Sequence, residues 1–281
     1  MVSGSARLAG VMGWPVSHSR SPRVHGFWLE RYGVDGAYLP LAVAPENLAD
    51  CLRALPKLGF AGVNLTVPHK EAALALVDTL GDAARRIGAV NTVIVQEGGS
   101  LNGDNSDAFG FIENLRQGAP AWAAAAGPAV VLGAGGAARA VCVALADAGV
   151  PEVRVVNRTT ARAKALAALL EGPFTVCSWN ERNDALAGAA LLVNATSLGM
   201  AGEPPLDIDL AGLAAGAVVN DIVYVPLETP LLAAARASGR RAVDGLGMLL
   251  HQARPGFAAW FGVEPEITPE LRAFVLANLG A

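Results

Sequence analysis

The chain has 281 residues, of which 53% are hydrophobic and only 16% charged. Its net charge of −4 and its pI near 5.6 exclude a general basic surface for holding nucleic acid or an anionic membrane. The length predicts two domains or one large one, each able to bury a core.

The mean hydropathy of +0.39 raises the question of a membrane span. The longest uncharged stretch, residues 117–138, contains Pro120, Pro128 and several glycines, whereas a spanning helix needs about 20 mainly apolar residues without such breaks. No basic segment followed by an apolar one opens the chain, so no secretory signal is expected. We therefore expect a soluble, cytoplasmic protein with neither a membrane nor a nucleic acid as its partner.

The cysteines and histidines predict neither disulfides nor a metal site. Cys51, Cys142 and Cys177 are widely spaced and form no C-x-x-C pair, which is typical of small buried side chains in a reducing compartment. The four histidines show no ligand spacing, so we predict no metal.

In the first third of the chain, short apolar runs alternate with amphipathic stretches. This βαβαβα order predicts a mostly parallel sheet covered by helices, followed by a hairpin over residues 89–96 with a glycine turn at 98–99. The predicted strands are residues 8–12, 38–43 and 62–67. Helices are predicted to start after Ser21-Pro22, to span residues 45–58, and to start at Pro68.

The middle third repeats the α/β alternation, and the chain becomes wholly helical after Gly245. We place the domain boundary near Ala108. The predicted strands are residues 129–132, 153–156, 190–194 and 218–222, and the predicted helices are residues 109–116, 137–148 and 160–170.

The strand at residues 130–132 runs into a glycine-rich loop and then a helix, in a variant of G-x-G-x-x-G/A. Gly133 permits the tight turn, Gly135 lets the backbone approach a pyrophosphate, and Ala138 fills the third small position. The helix N-terminus then faces the phosphates. These features favour a dinucleotide site, and the alternative is a purely structural glycine turn.

The end of the next strand favours NADP(H) over NAD(H). An NAD site usually carries Asp or Glu there, but this chain has Asn157, Arg158 and Thr159, with Arg162 one helical turn later. A carboxylate would repel a 2′-phosphate, whereas Arg158 offers it a planar donor fork. The alternative is that both arginines are solvated surface charges.

Two polar segments in the first third are substrate-site candidates. Ser19 and Ser21 flank a predicted helix N-terminus, which suits a carboxylate, although an ordinary N-cap by Ser21 explains them equally well. Asn64 and Thr66 share one side of a strand. Lys70 would lie in the first turn of the next helix, where the dipole would depress the pKa of its ammonium.

Asp107, at the start of the next domain's first helix, is the candidate partner for Lys70. A nearby carboxylate would hold the ammonium in place and oppose the effect of the dipole. A solvated helix lysine and an ordinary N-terminal helix charge are the alternatives. Small polar residues at the loop ends, at residues 91–92 and 103–107, suit a polyhydroxylated substrate, but they also suit turns.

Together these segments closely resemble the shikimate dehydrogenases, which reversibly reduce 3-dehydroshikimate to shikimate with NADPH on the route to chorismate and the aromatic amino acids. The resemblance implies an α/β oxidoreductase with an N-terminal substrate domain with a mostly parallel sheet, a Rossmann-like NADP-binding domain, and a cleft between them. The matching motifs are SHSRSP at 17–22, NLTVPHK at 64–70, AVNT at 89–92, GDNSD at 103–107, GAGGAAR at 133–139, NRT at 157–159, NATSLGM at 194–200 and DGLGML at 244–249.

The resemblance also implies the role of each domain. Residues 1–108, completed by helices within 246–281, would bind the substrate, and residues 109–245 would bind NADP(H). Lys70 and Asp107 would be the catalytic pair. The implied substrate contacts are Ser19 and Ser21 to the carboxylate, Thr66, Asn91, Asp107 and Gln252 to the ring hydroxyls, and Asn64 and Tyr224 lining the pocket.

The implied cofactor contacts fall into three groups. They are the pyrophosphate loop of Gly133, Ala134, Gly135, Gly136, Ala137 and Ala138; the 2′-phosphate set of Asn157, Arg158, Thr159 and Arg162; and Thr196, Ser197, Met200, Ile222, Gly245 and Met248 around the rest of the cofactor. Trp14, Ser106 and Ala108 depart from the usual residues of the family without removing a proposed functional group.

Three alternative functions stay open, and both a monomer and a homodimer are compatible with the sequence. A dual quinate/shikimate dehydrogenase preferring NAD is the first, although a threonine usually accompanies quinate acceptance in relatives and here Ser19 and Ser21 are both serine. A non-catalytic NADPH-binding regulator is the second, and the intact Lys70 and Asp107 count against it. The third is an enzyme acting on an aminated relative of the substrate.

Overall fold

The computed structural model describes residues 2–277, which divide into two compact units. The first unit contains residues 2–106 and 252–277, and the second contains residues 107–251. The divisions therefore fall after Ser106 and after His251, whereas the sequence suggested Ala108 and Gly245.

The first unit is built on a six-stranded mixed sheet with the order β2-β1-β3-β5-β6-β4. β1 pairs in parallel with β2 and β3, and the predicted hairpin is confirmed as the antiparallel pair β5–β6. β5 also pairs antiparallel with β3, and β4 pairs in parallel with β6. The strands are β1 Arg7–Gly13, β2 Gly36–Ala42, β3 Phe60–Leu65, β4 Thr79–Leu80, β5 Thr92–Val95 and β6 Leu101–Asp104.

The first predicted helix of this unit is confirmed, the second is confirmed only in part, and the third is wrong. The segment 45–58 is broken, because Pro56 has no N–H to donate to the carbonyl four residues earlier. The helices here are α1 Ser21–Arg31, α2 Leu48–Ala54 and α3 Asp82–Ile87, with 3₁₀ turns at Pro45–Asn47, Pro56–Leu58 and Ala72–Ala75.

No helix begins at Pro68; the chain forms a turn there instead. Val90 N–H, in the segment before β5, donates to the Lys70 carbonyl at 2.8 Å, so a residue distant in the sequence takes the acceptor that an α-helix would use four residues on. The buried His69 imidazole hydrogen bonds to the Val43 carbonyl at 2.8 Å. Lys70 therefore has no helix dipole beside it, and that argument for its reactivity fails.

An aromatic cluster closes the core of the first unit. α8, Leu246–Phe261, contributes Phe257 and Trp260 from its first-unit half, and both are buried with Trp28 of α1. Phe257 and Trp28 pack with ring centroids 5.2 Å apart. The Trp260 indole N–H donates to the Val93 carbonyl at 3.1 Å, and a side chain at Gly62 would collide with this ring.

Trp260→Ala should lower the free energy of unfolding by about 3–5 kcal/mol, because it leaves a large cavity and removes the indole hydrogen bond to the Val93 carbonyl. Urea denaturation measures the loss. Trp14→Ala is the matched control, since 51% of Trp14 is exposed, and it should change stability by less than about 0.5 kcal/mol. Equal losses in the two variants would contradict this description of the core.

The second unit contains a six-stranded, wholly parallel sheet with the order β12-β11-β10-β7-β8-β9. Two halves wind outward from the adjacent central strands β7 and β10, which is the doubly wound arrangement of dinucleotide-binding domains. All four predicted strands are confirmed, while β9 and β12 were missed. The strands are β7 Ala129–Leu132, β8 Val153–Asn157, β9 Phe174–Ser178, β10 Leu191–Asn194, β11 Val218–Asp221 and β12 Arg241–Val243.

Helices pack against this second sheet. β7 and β10 are buried along their whole length, which explains their uninterrupted apolar sequence. No helix within residues 2–277 is long and apolar enough to cross a membrane. The helices of this unit are α4 Asp107–Gly118, α5 Gly136–Asp147, α6 Thr160–Leu169, α7 Pro230–Ala237 and the start of α8, whereas α9 Pro269–Leu276 belongs to the first unit.

Candidate active site

The predicted substrate residues of the first unit collect at one end of its sheet. Ser19 lies in the loop after β1 and Ser21 begins α1 directly after it, and Thr66 and Lys70 follow β3, the parallel neighbour of β1. Asn91 precedes β5, which runs antiparallel to β3 and so begins at the same end. The topology of the sheet therefore brings together side chains that lie far apart in the sequence.

Tyr38 connects two of these predicted residues, Ser21 and Asn64. Its hydroxyl donates to Asn64 Oδ1 at 2.6 Å, and it also hydrogen bonds to the Ser21 side chain. Burial raises the pKa of Tyr38 well above its ordinary value, so the hydroxyl keeps its proton. The ring stacks on His25 with centroids 3.8 Å apart, and burial lowers the pKa of His25 to about 3.

Asn64 is buried, and its amide group is held by protein contacts. Its Nδ2 donates to the Asn91 carbonyl at 3.1 Å and to Thr92 Oγ1 at 3.2 Å. Both N–H donors of the amide are therefore used inside the protein. This arrangement suits a residue that positions its neighbours better than one that donates to a ligand.

Asn91 forms the centre of a second buried cluster. Its Oδ1 accepts hydrogen bonds from Ser106 N–H at 2.9 Å and from Thr92 Oγ1 at 2.8 Å. Its Nδ2 donates to Ser106 Oγ at 3.1 Å. Ser106 thus contributes its hydroxyl to the cluster.

Lys70 and Thr66 are both half-buried in the turn after β3. Thr66 N–H donates to the Met12 carbonyl at 2.9 Å, and His69 N–H donates to the Thr66 carbonyl at 2.9 Å. The bond to Met12 ties the turn to β1. The His69 ring ties it to Val43, which follows β2, and the Lys70 carbonyl ties it to Val90, which precedes β5. Its backbone is therefore well fixed around Lys70.

The other predicted substrate and catalytic residues lie elsewhere. Gln252 is half-buried in the part of α8 that belongs to the first unit. Asp107 is buried as the first residue of α4 in the second unit, where a helix N-terminus stabilises a carboxylate. Tyr224 is half-buried in the second unit, after β11.

The glycine loop after β7 fits a dinucleotide pyrophosphate. Gly135 is the N-cap residue of α5. Because glycine has no side chain, it cannot accept hydrogen bonds from the first N–H groups of this helix as a serine or aspartate N-cap would. A Cβ built on Gly135 or Gly136 would meet nothing within 4 Å, so there is open space above the helix start. Ala138 is fully buried where the helix meets the sheet. Such a site favours an anion.

Gly133→Ala and Gly135→Ala should separate folding from cofactor binding. Gly133 has φ +114°, and a Cβ there would lie 2.8 Å from the Ala195 carbonyl oxygen, so this variant should lose about 1–3 kcal/mol of stability. Gly135 has φ −90°, so its variant should fold normally yet bind NADPH at least about tenfold more weakly. Thermal melting and NADPH titration measure the two effects, and normal NADPH affinity in Gly135→Ala would contradict the assignment of the loop.

The segment after β8, the strand next to β7 in the sheet, carries positive charge. Arg158 and Arg162 are exposed, and Thr159 precedes α6. Asn157 Nδ2 donates to the Thr159 carbonyl at 2.9 Å, so Asn157 shapes this turn. No carboxylate occupies residues 157–162, and the local charge fits a phosphate.

The remaining predicted cofactor residues follow β10, β11 and β12. Thr196, Ser197 and Met200 lie in the loop after β10, and Ile222 follows β11. Gly245 directly precedes α8, and Met248 lies in its first turn. These loops are joined, because Ile222 N–H donates to the Asn194 carbonyl at 3.1 Å. A Cβ at Gly245 would lie 2.1 Å from the Ile222 carbonyl oxygen, so only glycine allows this close approach.

Sequence reasoning gave no role to Asn194 or Asp221, the buried polar residues that end β10 and β11. Burial raises the pKa of Asp221 to about 6, although its three hydrogen bonds oppose the shift. The sequence signal that could have found these two residues is a polar side chain at the end of each apolar strand. Within residues 2–277, no group of three or more potential ligands from His, Cys, Asp and Glu could hold a metal ion.

Comparison with known proteins identifies the family. Residues 11–93 match a family model described as the shikimate dehydrogenase substrate binding domain, and residues 122–200 match one described as shikimate / quinate 5-dehydrogenase. The chain is 66% identical over 276 residues to the shikimate dehydrogenase (NADP(+)) of Paramagnetospirillum magneticum, covering 98% of this chain and 100% of that protein.

Solved structures agree with the sequence matches. Shikimate 5-dehydrogenase from Thermus thermophilus, in complex with NADP(H) and shikimate, is 40% identical with a TM-score of 0.83, covering 96% of this chain and 98% of that one. Quinate dehydrogenase from Corynebacterium glutamicum, in complex with NAD, is 34% identical with a TM-score of 0.90, covering 97% and 99%. The chain belongs to the shikimate dehydrogenase family.

Proposed function

We propose that this protein is an NADP-dependent shikimate dehydrogenase that reversibly reduces 3-dehydroshikimate to shikimate. One observation carries the proposal. In a chain that is 66% identical to a shikimate dehydrogenase (NADP(+)), the proposed substrate residues and the proposed cofactor residues lie where such an enzyme would need them. The part of the substrate set that lies next to β1, β3 and β5 gathers at one end of the first unit's sheet, and the cofactor set follows the carboxyl ends of the second unit's parallel strands.

The cofactor proposal is supported by the glycine loop and by Arg158 and Arg162. The start of α5 would hold the pyrophosphate, and the two arginines would hold the 2′-phosphate. When bound, NADPH supplies the hydride that reduces the C3 carbonyl of the substrate. The loops after β10, β11 and β12 would enclose the rest of the cofactor.

The substrate proposal follows from the polar groups of the first unit. Ser19 and Ser21 would bind the carboxylate, because the start of α1 adds its dipole to their hydroxyls. The ring hydroxyls would be bound by Thr66, Asn91, Asp107 and Gln252, with Tyr224 lining the pocket. Asn64 would hold the Asn91–Thr92 segment in place, since its own donors are already used.

Lys70 and Asp107 would perform the proton chemistry. During reduction, Lys70 would deliver a proton to the C3 oxygen, and during oxidation it would accept the proton of the hydroxyl. Asp107 would be the second member of the catalytic pair. The firmly bonded turn around Lys70 favours this role, because a proton donor must be held in one position.

A dual quinate/shikimate dehydrogenase is the second candidate, and it is favoured by the likeness to the quinate dehydrogenase of Corynebacterium glutamicum. Against it stand the two serines at positions 19 and 21 and the absence of a carboxylate at residues 157–162. We also propose a reducing, cytoplasmic location, which the free thiols of Cys51, Cys142 and Cys177 support.

The purified chain should be assayed with shikimate or quinate, each with NADP⁺ or NAD⁺, by the absorbance of the reduced nicotinamide. Strong reduction of NADP⁺ by shikimate alone is expected. Comparable rates with quinate or NAD⁺ would favour the dual-specificity enzyme. No reduction in any combination, with NADPH still bound, would replace the proposal by a non-catalytic regulator.

A further inference from the structure

Two buried polar side chains lie side by side at the carboxyl ends of β10 and β11, neighbouring strands of the second unit. Asn194 ends β10 and Asp221 ends β11, and the two residues are direct partners in the parallel register. Both are fully buried. Burying a carboxylate is costly unless it is well hydrogen-bonded, so a specific role is indicated.

Asp221 accepts three hydrogen bonds, all from neutral donors. Its Oδ1 accepts from Asn194 Nδ2 at 2.9 Å and from Val223 N–H at 3.1 Å. Its Oδ2 accepts from Thr229 Oγ1 at 2.7 Å. Thr229 is also the N-cap of α7, where its hydroxyl accepts from Leu232 N–H at 3.3 Å. The carboxylate therefore joins β10, the segment after β11 and the start of α7.

Asn194 transmits this contact to the loop after β10. Because Nδ2 faces the carboxylate, Oδ1 faces the loop and accepts from Thr196 N–H at 3.1 Å and from Thr196 Oγ1 at 2.7 Å. Nδ2 also donates to the Leu198 carbonyl at 3.0 Å, and Leu198 N–H donates to Thr196 Oγ1 at 3.1 Å. A flipped amide would set its oxygen against Asp221 and lose both bonds to Thr196.

The segment after β11 is held by the same carboxylate. The bond from Val223 N–H fixes the backbone between Ile222 and Tyr224. Ala201 N–H donates to the Val225 carbonyl at 2.8 Å, so the loops after β10 and β11 are also tied together farther along. Asp221 thus fixes both loops through its hydrogen bonds to Asn194 and to Val223 N–H. It is not itself one of the residues proposed to contact NADPH or shikimate.

We propose that Asp221 is a positioning residue that holds the loops after β10 and β11 in the geometry needed to bind the cofactor. It acts through the orientation of the Asn194 amide and through the Val223 N–H. This inference rests on the proposed function, which places Thr196, Ser197 and Ile222 at the cofactor.

The test compares Asp221→Asn with Asp221→Ala by calorimetric titration of NADPH. In Asp221→Asn, the amide oxygen can still accept from Asn194 and Val223, and the amide nitrogen can donate to the Thr229 hydroxyl. NADPH affinity should then stay within about threefold of the native value. In Asp221→Ala the acceptors are gone, and affinity should fall by more than about tenfold.

Shikimate affinity is the internal control, because most of its proposed contacts belong to the first unit. It should change by less than about threefold in both variants. If Asp221→Ala does not fold, Asp221→Ser replaces it, since a side chain this short cannot reach Asn194, and the same selective loss of NADPH affinity is expected.

Normal NADPH binding by a folded Asp221→Ala or Asp221→Ser protein would overturn the proposal. So would an equal loss in Asp221→Asn, or an equal loss of shikimate and NADPH affinity. If the native chain binds NADPH but does not oxidise shikimate, the proposed function fails, while the comparison of NADPH affinities still decides the role of Asp221.

Discussion

Lys70→Ala should lower kcat for shikimate oxidation by about 10²- to 10⁴-fold while changing KM much less. The reason is that a group moving a proton acts mainly in the transition state, so its loss slows the chemical step more than it weakens substrate binding. Steady-state kinetics with saturating NADP⁺ measure both constants. The backbone bonds of the turn do not use the Lys70 side chain, so the variant should keep its fold.

Lys57→Ala is the matched control for this experiment. Lys57 is an exposed lysine of the same unit, and its removal should leave kcat and KM within about twofold of the native values. Circular dichroism checks that both variants fold. Near-normal turnover in Lys70→Ala, or a change confined to KM, would remove Lys70 from the catalytic role.

Arg158→Ala should reduce kcat/KM for NADP⁺ by about 10- to 100-fold and leave that for NAD⁺ nearly unchanged. A charge-assisted hydrogen bond contributes about 1.5–3 kcal/mol, and only NADP⁺ carries the 2′-phosphate that would receive it. The ratio of the two kcat/KM values therefore isolates the contribution of the guanidinium to cofactor choice.

Lys164→Ala provides the comparison, since Lys164 is an exposed cation on α6, the helix that follows Arg158. Lys164→Ala should not alter the ratio of kcat/KM for NADP⁺ to kcat/KM for NAD⁺. This result would show that a nearby positive charge alone does not determine the preference for NADP⁺. An unchanged ratio in Arg158→Ala would mean that this arginine is a solvated surface charge, as the sequence alone allowed.

The second unit was the easier part of the fold to predict. Its central strands are buried on both faces, so the sequence shows them as unbroken apolar runs at Ala129–Leu132 and Leu191–Asn194. β9 was missed because its residues are only partly buried and carry polar side chains, and β12 was missed because it has only three residues.

The first unit shows why local patterns are not sufficient. Pro68 resembles a helix start, but the Lys70 carbonyl accepts from Val90 N–H and the His69 ring bonds to the Val43 carbonyl. Val90 and Val43, which hold the chain in this turn, are both remote from it in the sequence. Likewise, nothing near Asn64 indicates that Tyr38 would bond to it. Such contacts depend on the order and register of the strands, which a single sequence does not specify.

The candidate site residues were found by a different route. Spacing alone indicated the glycine loop, the basic residues after β8 and Lys70 as a reactive candidate, but the individual roles of Asn91 and Gln252 came only from the resemblance to a family. The buried pair Asn194 and Asp221 emerged only from the structure, because their importance lies in hydrogen bonds that connect two loops.

The most direct test of the proposed function is to incubate the native chain with 3-dehydroshikimate and NADPH and to identify the product by nuclear magnetic resonance. We expect shikimate to form in a one-to-one ratio with the NADPH consumed. Oxidation of NADPH without shikimate, a different reduced product, or no reaction in a protein that binds both ligands would contradict the assignment.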